Sequence, residues 1–368
     1  MAASQAKRLS LATQLAWLSV VVIGYASLYP FEGWYRANWT IGEWLLSPWP
    51  KYWSSFDLWA NWLGYVPLGA LWAAAALRQP ARRWNPIGSA TLKAALLSLL
   101  LESAQGFMIH RVSSNVDWGL NTVGALTGAL LAQWWLRPRH VRRWDAMRAA
   151  RLAPDGGAEL TLMLLWVCAL WVPTALPFSV GRLAPDTLEG IHQWLGGWIA
   201  QGAGATGFSW VLTPLEERVV LALTLVTPMA VAGWTVRGRW NRLLASLMVL
   251  VLALLVPMLL AVLVHGWRYA GAWLLPALPM GFAGAALAGC CIVILPRRAL
   301  LGLALALLVA HGVVVNLYAT AGYWDVNWQQ FGQGRFVRMY GVLSWVAVTW
   351  PWLALLVLSR RLFVTARP

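Results

Sequence analysis

The sequence predicts an all-α integral membrane protein, a polytopic bundle of about ten transmembrane helices. Three observations predict it. Hydrophobic residues make up 60% of the 368 residues and charged residues only 11%, whereas a soluble domain carries about 25% charged residues. The apolar residues gather in ten runs, near 9–29, 58–77, 90–109, 116–136, 159–178, 214–235, 243–264, 271–295, 299–320 and 339–358. A membrane-crossing helix needs about 20 such residues. The chain also holds 28 Trp, and Trp favours the membrane–water interface, where the ring is buried and the indole N–H stays wet. Trp34, Trp39, Trp44, Trp49 and Trp53 lie together between the first two runs.

The basic residues orient the runs. With the N-terminus inside, the outer segments and their flanks hold Arg36, Lys51, Arg111, Arg182, Arg218, Arg268, Arg335 and Arg338, and the other 20 of the 28 Lys and Arg lie inside. Every inner segment holds at least two, from Lys7 and Arg8 to Arg360, Arg361 and Arg367. Ten spans with both termini cytoplasmic therefore obey the positive-inside rule. A missed or extra span would reverse the bias downstream of it. The expected place is a bacterial-type cytoplasmic (inner) membrane. The run after Lys7 and Arg8 reaches Tyr29 with no convincing small-x-small cleavage site, which reads as an uncleaved first helix.

The net charge of +15 has no basic domain to sit on. It is divided among short loops, so nucleic acid is excluded as a partner and membrane lipids are expected. Cys168, Cys290 and Cys291 lie in apolar runs without a CxxC, the pattern of small buried hydrophobes rather than of a metal site or disulfide. No cofactor is expected.

The longest basic stretch, 137–151, marks a boundary between two halves and reads as a cytoplasmic connector or an anionic-lipid contact. The expected organisation is a four-helix module over 1–136, a connector over 137–158, a second four-helix module over 159–298 and a helix pair over 299–368. The halves echo one another. Tyr29-Pro30-Phe31 is matched by Leu176-Pro177-Phe178, Asp57 and Pro67 by Glu216-Glu217 and Pro228, and Arg111 with Gly124 by Arg268 with Gly281. A degenerate duplication explains this; the bland alternative is that Pro, Gly and loop Arg recur in any bundle.

Ionisable and amide side chains are costly in lipid, so those inside the runs are informative. Asp57 and Asn61 open the second run at i, i+4 spacing, with Tyr65 one turn on. Glu102 and Gln105 lie at i, i+3 on the third, Arg111 lies just beyond it, and Asp117 and Asn121 open the fourth at i, i+4. At 1.5 Å per residue Glu102 sits about 10 Å from the outer end and Asn121 about 7 Å, so all lie in the outer third of the membrane. Gly124 and Gly128 share the face of Asn121 and allow close helix approach.

At these positions the chain resembles the VanZ-like family, named for a membrane protein of teicoplanin resistance. The resemblance rests on Asp57-x3-Asn61-x5-Pro67-x-Gly69, Glu102-x2-Gln105, and Arg111-x5-Asp117-x3-Asn121-Thr122-x-Gly124-Ala125-x2-Gly128. It covers about residues 15–136 and implies a four-helix envelope module with its polar signature on spans two to four. The second half departs from it, with Leu259, Val262, Leu274 and Leu278 at the places of Glu102, Gln105, Asp117 and Asn121.

Three functions suit the cluster. It can bind an envelope lipid such as a polyprenyl-linked sugar or peptidoglycan-type precursor, with Arg111 on a phosphate and Asn61, Gln105 and Asn121 on sugar or peptide groups. Three carboxylates against one Arg repel phosphate, so this needs a protonated Glu102 or a bound cation. It can be catalytic through paired carboxylates, although only His110 lies at its edge and no nucleophile or HExxH motif accompanies it. Or it can be an internal lock in a scaffold for envelope-assembly proteins. A proton pathway is disfavoured because Glu102 alone is deep.

Elsewhere, His311 and Asn316 read as a local hydrogen-bonded pair or cavity lining rather than ligands, Glu32 as a loop acid, and Arg237, Arg239 and Arg242 as topology charges. Trp324, Trp328 and Arg335 read as an interfacial belt, and the Gly/Ala-rich segment 197–207 as an outer loop or half-inserted hairpin.

Overall fold

The structure, a computed structural model, describes residues 11–29, 31–35, 43–49, 55–77, 85–109, 111–153, 156–172, 174, 176–183, 212–271, 273–317 and 337–365. The expectations for Lys7, Arg8, Trp39, Trp53, His110, 197–207, Trp324, Trp328 and Arg335 lie outside the described residues. Among the described residues the fold is all-α, with two isolated β-bridges and no longer strand. Eleven α-helices are described, and each of the ten expected runs falls on one. The chain divides into two compact units, 1–146 and 147–368.

The first unit holds α1 (Leu11–Leu28), α2 (Ser55–Leu77), α3 (Pro86–Gln105) and α4 (Asn115–Trp135), with a 3-10 turn at Glu43–Leu46. Local chemistry sets the ends. Asn85 caps α3 by accepting from the Ile87 N–H at 3.0 Å, with Pro86 in the first turn. Ser114 caps α4 by accepting from the Asp117 N–H at 3.3 Å. Each satisfies a donor that the first turn leaves without an intrahelical partner. The core is rich in alanine, with Ala73, Ala90, Ala129 and Ala132 in one group and Ala94 and Ala125 beside Tyr65 and Leu68 in another. The alanines bring backbones together, which is how helices associate where lipid removes the hydrophobic drive. After α1 the chain turns at Phe31 in a left-handed conformation (φ 65°). It then pairs with the turn after α3, through Tyr35 N–H to Phe107 O and Ile109 N–H to Gly33 O.

The expected connector is itself a helix, α5 (Pro138–Arg151), with no buried residue. A helix polar all round needs no packing partner, and Pro138 suits a first position because its missing N–H would be unpaired there anyway.

The second unit holds α6 (Gly157–Ala169), α7 (Pro214–Thr235), α8 (Arg239–His265), α9 (Leu278–Ile294), α10 (Arg297–Leu317) and α11 (Val337–Thr365). Here the core is large and apolar, with Trp166, Leu221, Met229, Ile292, Leu300, Trp350 and Leu358 all buried around α7. The run expected over 159–178 is shorter as a helix. α6 ends at Ala169, and its 13 residues reach about 20 Å, short of a hydrocarbon layer of about 30 Å. The sequence supplies a reason: a proline at position 173 has no N–H to offer the Ala169 carbonyl and disfavours a helical conformation in the residue before it. Beyond it, Phe178 turns with φ 67°. Phe31 and Phe178 are the two non-glycine residues with positive φ among those described. The packing order also repeats: α1 lies on α2, α2 on α3 and α4, and α3 on α4, as α6 lies on α7, α7 on α8 and α9, and α8 on α9.

Among the described residues, five helices are long and apolar enough to cross a membrane: α3, α7, α8, α10 and α11. α2 and α4 have the length, 23 and 21 residues, but carry the polar cluster in their first turns.

Candidate functional site

The seven polar residues singled out in the sequence lie on α2, α3, α4 and the α3–α4 connection, and the first unit sorts them into three layers. The outermost joins the starts of α2 and α4. The Asp117 side chain hydrogen-bonds to that of Asn61 and lies within electrostatic range of Asp57. Asp57, Asn61 and Asp117 are half-buried. The i, i+4 spacing on each helix then puts Tyr65 below Asn61 and Asn121 below Asp117.

That second layer is buried, and Ser98 of α3 is its hub. Asn121 donates from Nδ2 to Ser98 Oγ at 2.9 Å, and the Tyr65 hydroxyl bonds to the same serine. Asn121 is 4% exposed, and its buried Oδ1 has no hydrogen-bond partner among the described residues. Sequence reading missed Ser98. Its signal was its place one turn before Glu102 on the buried stripe Ala90, Ala94, Ser98, Leu101, Glu102 and Gln105.

The third layer ties chain segments together. Glu102 Oε2 accepts from the Ser114 backbone N–H at 3.0 Å, and the Glu102 carbonyl accepts from the Ser113 hydroxyl. The carboxylate thus holds the residue that caps α4. Gln105 Nε2 donates to Ser27 O at 2.9 Å, and Arg111 Nη2 donates to Tyr29 O at 2.8 Å. The last carbonyls of a helix have no intrahelical partner. A cation there also meets the negative end of the helix dipole. Arg111 and Gln105 are therefore drawn to the end of α1, away from the α2–α4 layer.

Three glycines allow this proximity. A Cβ added at Gly124 would meet the Trp62 carbonyl, one at Gly128 the Val66 carbonyl, and one at Gly69 the Ala125 carbonyl. α2 and α4 touch backbone to backbone along that seam, and Trp62 Nε1 adds a bond to Thr127 Oγ1 at 3.3 Å.

Ser98→Ala should lower stability by about 1–3 kcal/mol, the cost of leaving buried polar groups unpaired. Thermal unfolding in detergent measures it, and Ser98→Ala/Asn121→Leu should recover part of the loss because the stranded amide is gone. Unfolding of Ser98→Ala at the wild-type temperature would remove Ser98 as the hub.

Comparison with curated proteins and with solved structures finds no match to the chain. Family comparison does: residues 5–136, which carry α1 to α4 and all seven polar residues, match the VanZ/LLP1 family, and this segment is VanZ-like.

Proposed function

We propose that the chain is a cell-envelope protein of a bacterial-type cytoplasmic membrane, and that the α2–α4 cluster binds a lipid-linked glycan or peptidoglycan-type precursor in the outer leaflet. The observation that carries this is the half-exposed layer of Asp57, Asn61 and Asp117 above a buried Asn121 whose Oδ1 has no partner among the described residues. Carboxylates and an amide oxygen are acceptors, so the layer suits a group rich in O–H and N–H donors. That describes the sugar or peptide part of such a lipid better than its phosphate. Arg111, the one cation of the set, is already engaged at Tyr29.

The same reading places ten spans with both termini in the cytoplasm. It divides the chain into 1–136, 137–158, 159–298 and 299–368, the third segment being a degenerate copy of the first. The shared packing order and the two left-handed phenylalanines after Pro30 and Pro177 support the duplication. A second reading, a non-catalytic scaffold for envelope assembly, is favoured by a different observation: Glu102, Gln105 and Arg111 each hold backbone groups of their own chain.

Native mass spectrometry of co-purifying lipids, comparing wild type with Asp117→Asn and Glu102→Gln, separates the two. Retention of a glycolipid by wild type, reduced about tenfold or more in Asp117→Asn as expected for a lost charge-assisted hydrogen bond, supports binding. Bulk phospholipid alone, identical in all three proteins, sinks it and leaves the scaffold.

A further inference from the structure

A second polar cluster lies at the arginine-rich end of the second unit, where residues of α6, α7, α8, α10 and α11 meet. Trp234, at the end of α7, is its buried floor. The guanidinium groups of Arg297 and Arg361 lie over its ring, at 5.3 and 5.5 Å from the centroid. Arg297 also donates to the Trp234 carbonyl at 3.1 Å. Arg242, on the first turn of α8, is 9% exposed and donates from Nη1 to Leu295 O. Arg237 and Arg242 both lie close enough to act electrostatically on Arg297.

The charges do not balance. Glu159 of α6 is fully buried and pairs with Arg361, Nε to Oε1 at 2.8 Å and Nη2 to Oε2 at 3.2 Å. Among the described residues this is the only salt bridge of the cluster. Arg237, Arg242 and Arg297 gather beside it without a carboxylate of their own. Two cations over one aromatic face each gain from the ring but repel one another, and the pair with Glu159 offsets only one. The donors do not balance either. Arg242 Nε and Arg297 Nε are buried and reach no acceptor among the described residues, and buried donors in native proteins are nearly always paired. A topology charge needs neither an aromatic floor nor a buried Nε–H.

We propose that Arg237, Arg242, Arg297 and Arg361 over Trp234 form a binding site for a phosphate group. Its source is an anionic phospholipid headgroup of the cytoplasmic leaflet or a soluble phosphorylated compound. A phosphate offers several acceptor oxygens and a negative charge, and guanidinium forks match that geometry. Placement at the cytoplasmic face follows from the positive-inside rule. Arg237 is exposed and Arg297 and Arg361 are half-buried, so a headgroup reaches the cluster from the surface.

The test is native mass spectrometry of the full chain in neutral detergent, titrated with phosphatidylglycerol and, separately, phosphatidylcholine. Wild type should bind one phosphatidylglycerol more tightly than phosphatidylcholine. Arg297→Gln should lose about tenfold in that affinity, the worth of one charge-assisted hydrogen bond. Arg297→Gln also takes a donor from the Trp234 carbonyl, so Arg297→Lys is its companion: it keeps the charge and an N–H donor, removes the planar fork, and should lose part of the affinity while unfolding at the wild-type temperature. Inorganic phosphate separates the sources. If it raises the unfolding temperature of wild type but not of Arg297→Gln and displaces the lipid, the ligand is soluble; if the lipid alone binds, it is a headgroup. Equal phosphatidylglycerol binding by wild type and both Arg297 variants, or no preference for either phosphate probe, overturns the proposal.

Discussion

Gly128→Leu is expected to unfold the first unit or leave it at least about 3 kcal/mol less stable, the upper end of what overpacking costs. The reason is what the new side chain would meet. A Cβ there falls on the Val66 carbonyl and close to the Ala70 N–H, and both are α2 backbone. A side-chain neighbour can rotate away; a helix backbone can yield only by moving the whole helix. Gly124, one turn earlier on α4, faces the Trp62 carbonyl in the same way, so α2 cannot pivot about that contact. Parting the helices would also separate Asn61 from Asp117 and strip the outer layer of the cluster. Gly64→Leu is the control, since nothing lies within 4 Å of a Cβ at Gly64, and it should unfold near the wild-type temperature. Thermal unfolding in detergent, with the monodisperse fraction on gel filtration, reads both variants. Wild-type behaviour of Gly128→Leu would mean that the α2–α4 seam is looser than described.

The seam was partly legible beforehand, because Gly124 and Gly128 repeat at helical spacing on the face of Asn121. Its depth of contact was not, since that depends on which backbone atoms of α2 stand opposite. The helices were legible from apolar runs and the basic loops between them. α5 was not, because an amphipathic signal exists only where a helix buries one face, and this one buries none. The end of α6 was not legible from hydropathy: the apolar run continues to Phe178, whereas the helix ends at Ala169. At the cluster, Asp57, Asn61, Asp117 and Asn121 came together as their i, i+4 spacings implied. Arg111 and Gln105 did not join them, because the unpaired carbonyls after α1 compete for those donors. A distant backbone acceptor leaves no mark in a sequence. Ser98 was hidden for a related reason: one hydroxyl hardly changes the hydropathy of a helix, yet two side chains converge on it. In the second unit, Arg242 and Arg297 look like any loop-flanking arginines until Trp234 and the carbonyl of Leu295 are placed beside them.

Arg361→Ala is expected to destabilise the second unit more than Glu159→Gln, although both break the same ion pair. Removing the arginine leaves a carboxylate that is 0% exposed without its fork, and stranding a buried charge costs about 3–5 kcal/mol. Removing the charge at Glu159 leaves Arg361 with 21% of its side chain in contact with solvent and its guanidinium still over Trp234. The cation can rehydrate, and the neutral amide fills the space of the carboxyl, so about 1 kcal/mol is expected there. Arg297 complicates the first variant usefully. It lies over the same ring and within electrostatic range of Glu159, so it can partly compensate when Arg361 is absent. Arg361→Ala/Arg297→Gln should therefore lose more than the two single variants combined, the signature of groups sharing one partner. Replacing the pair together, as Glu159→Met/Arg361→Met, removes both the attraction and the stranded charge and should return most of the stability. Unfolding temperatures of the five proteins rank the outcomes. If Glu159→Gln proves as damaging as Arg361→Ala, Glu159 is not a buried charge held by its fork, and the tie between α6 and α11 rests on the bond from Trp350 Nε1 to the Leu162 carbonyl at 2.7 Å and on the apolar contacts around it.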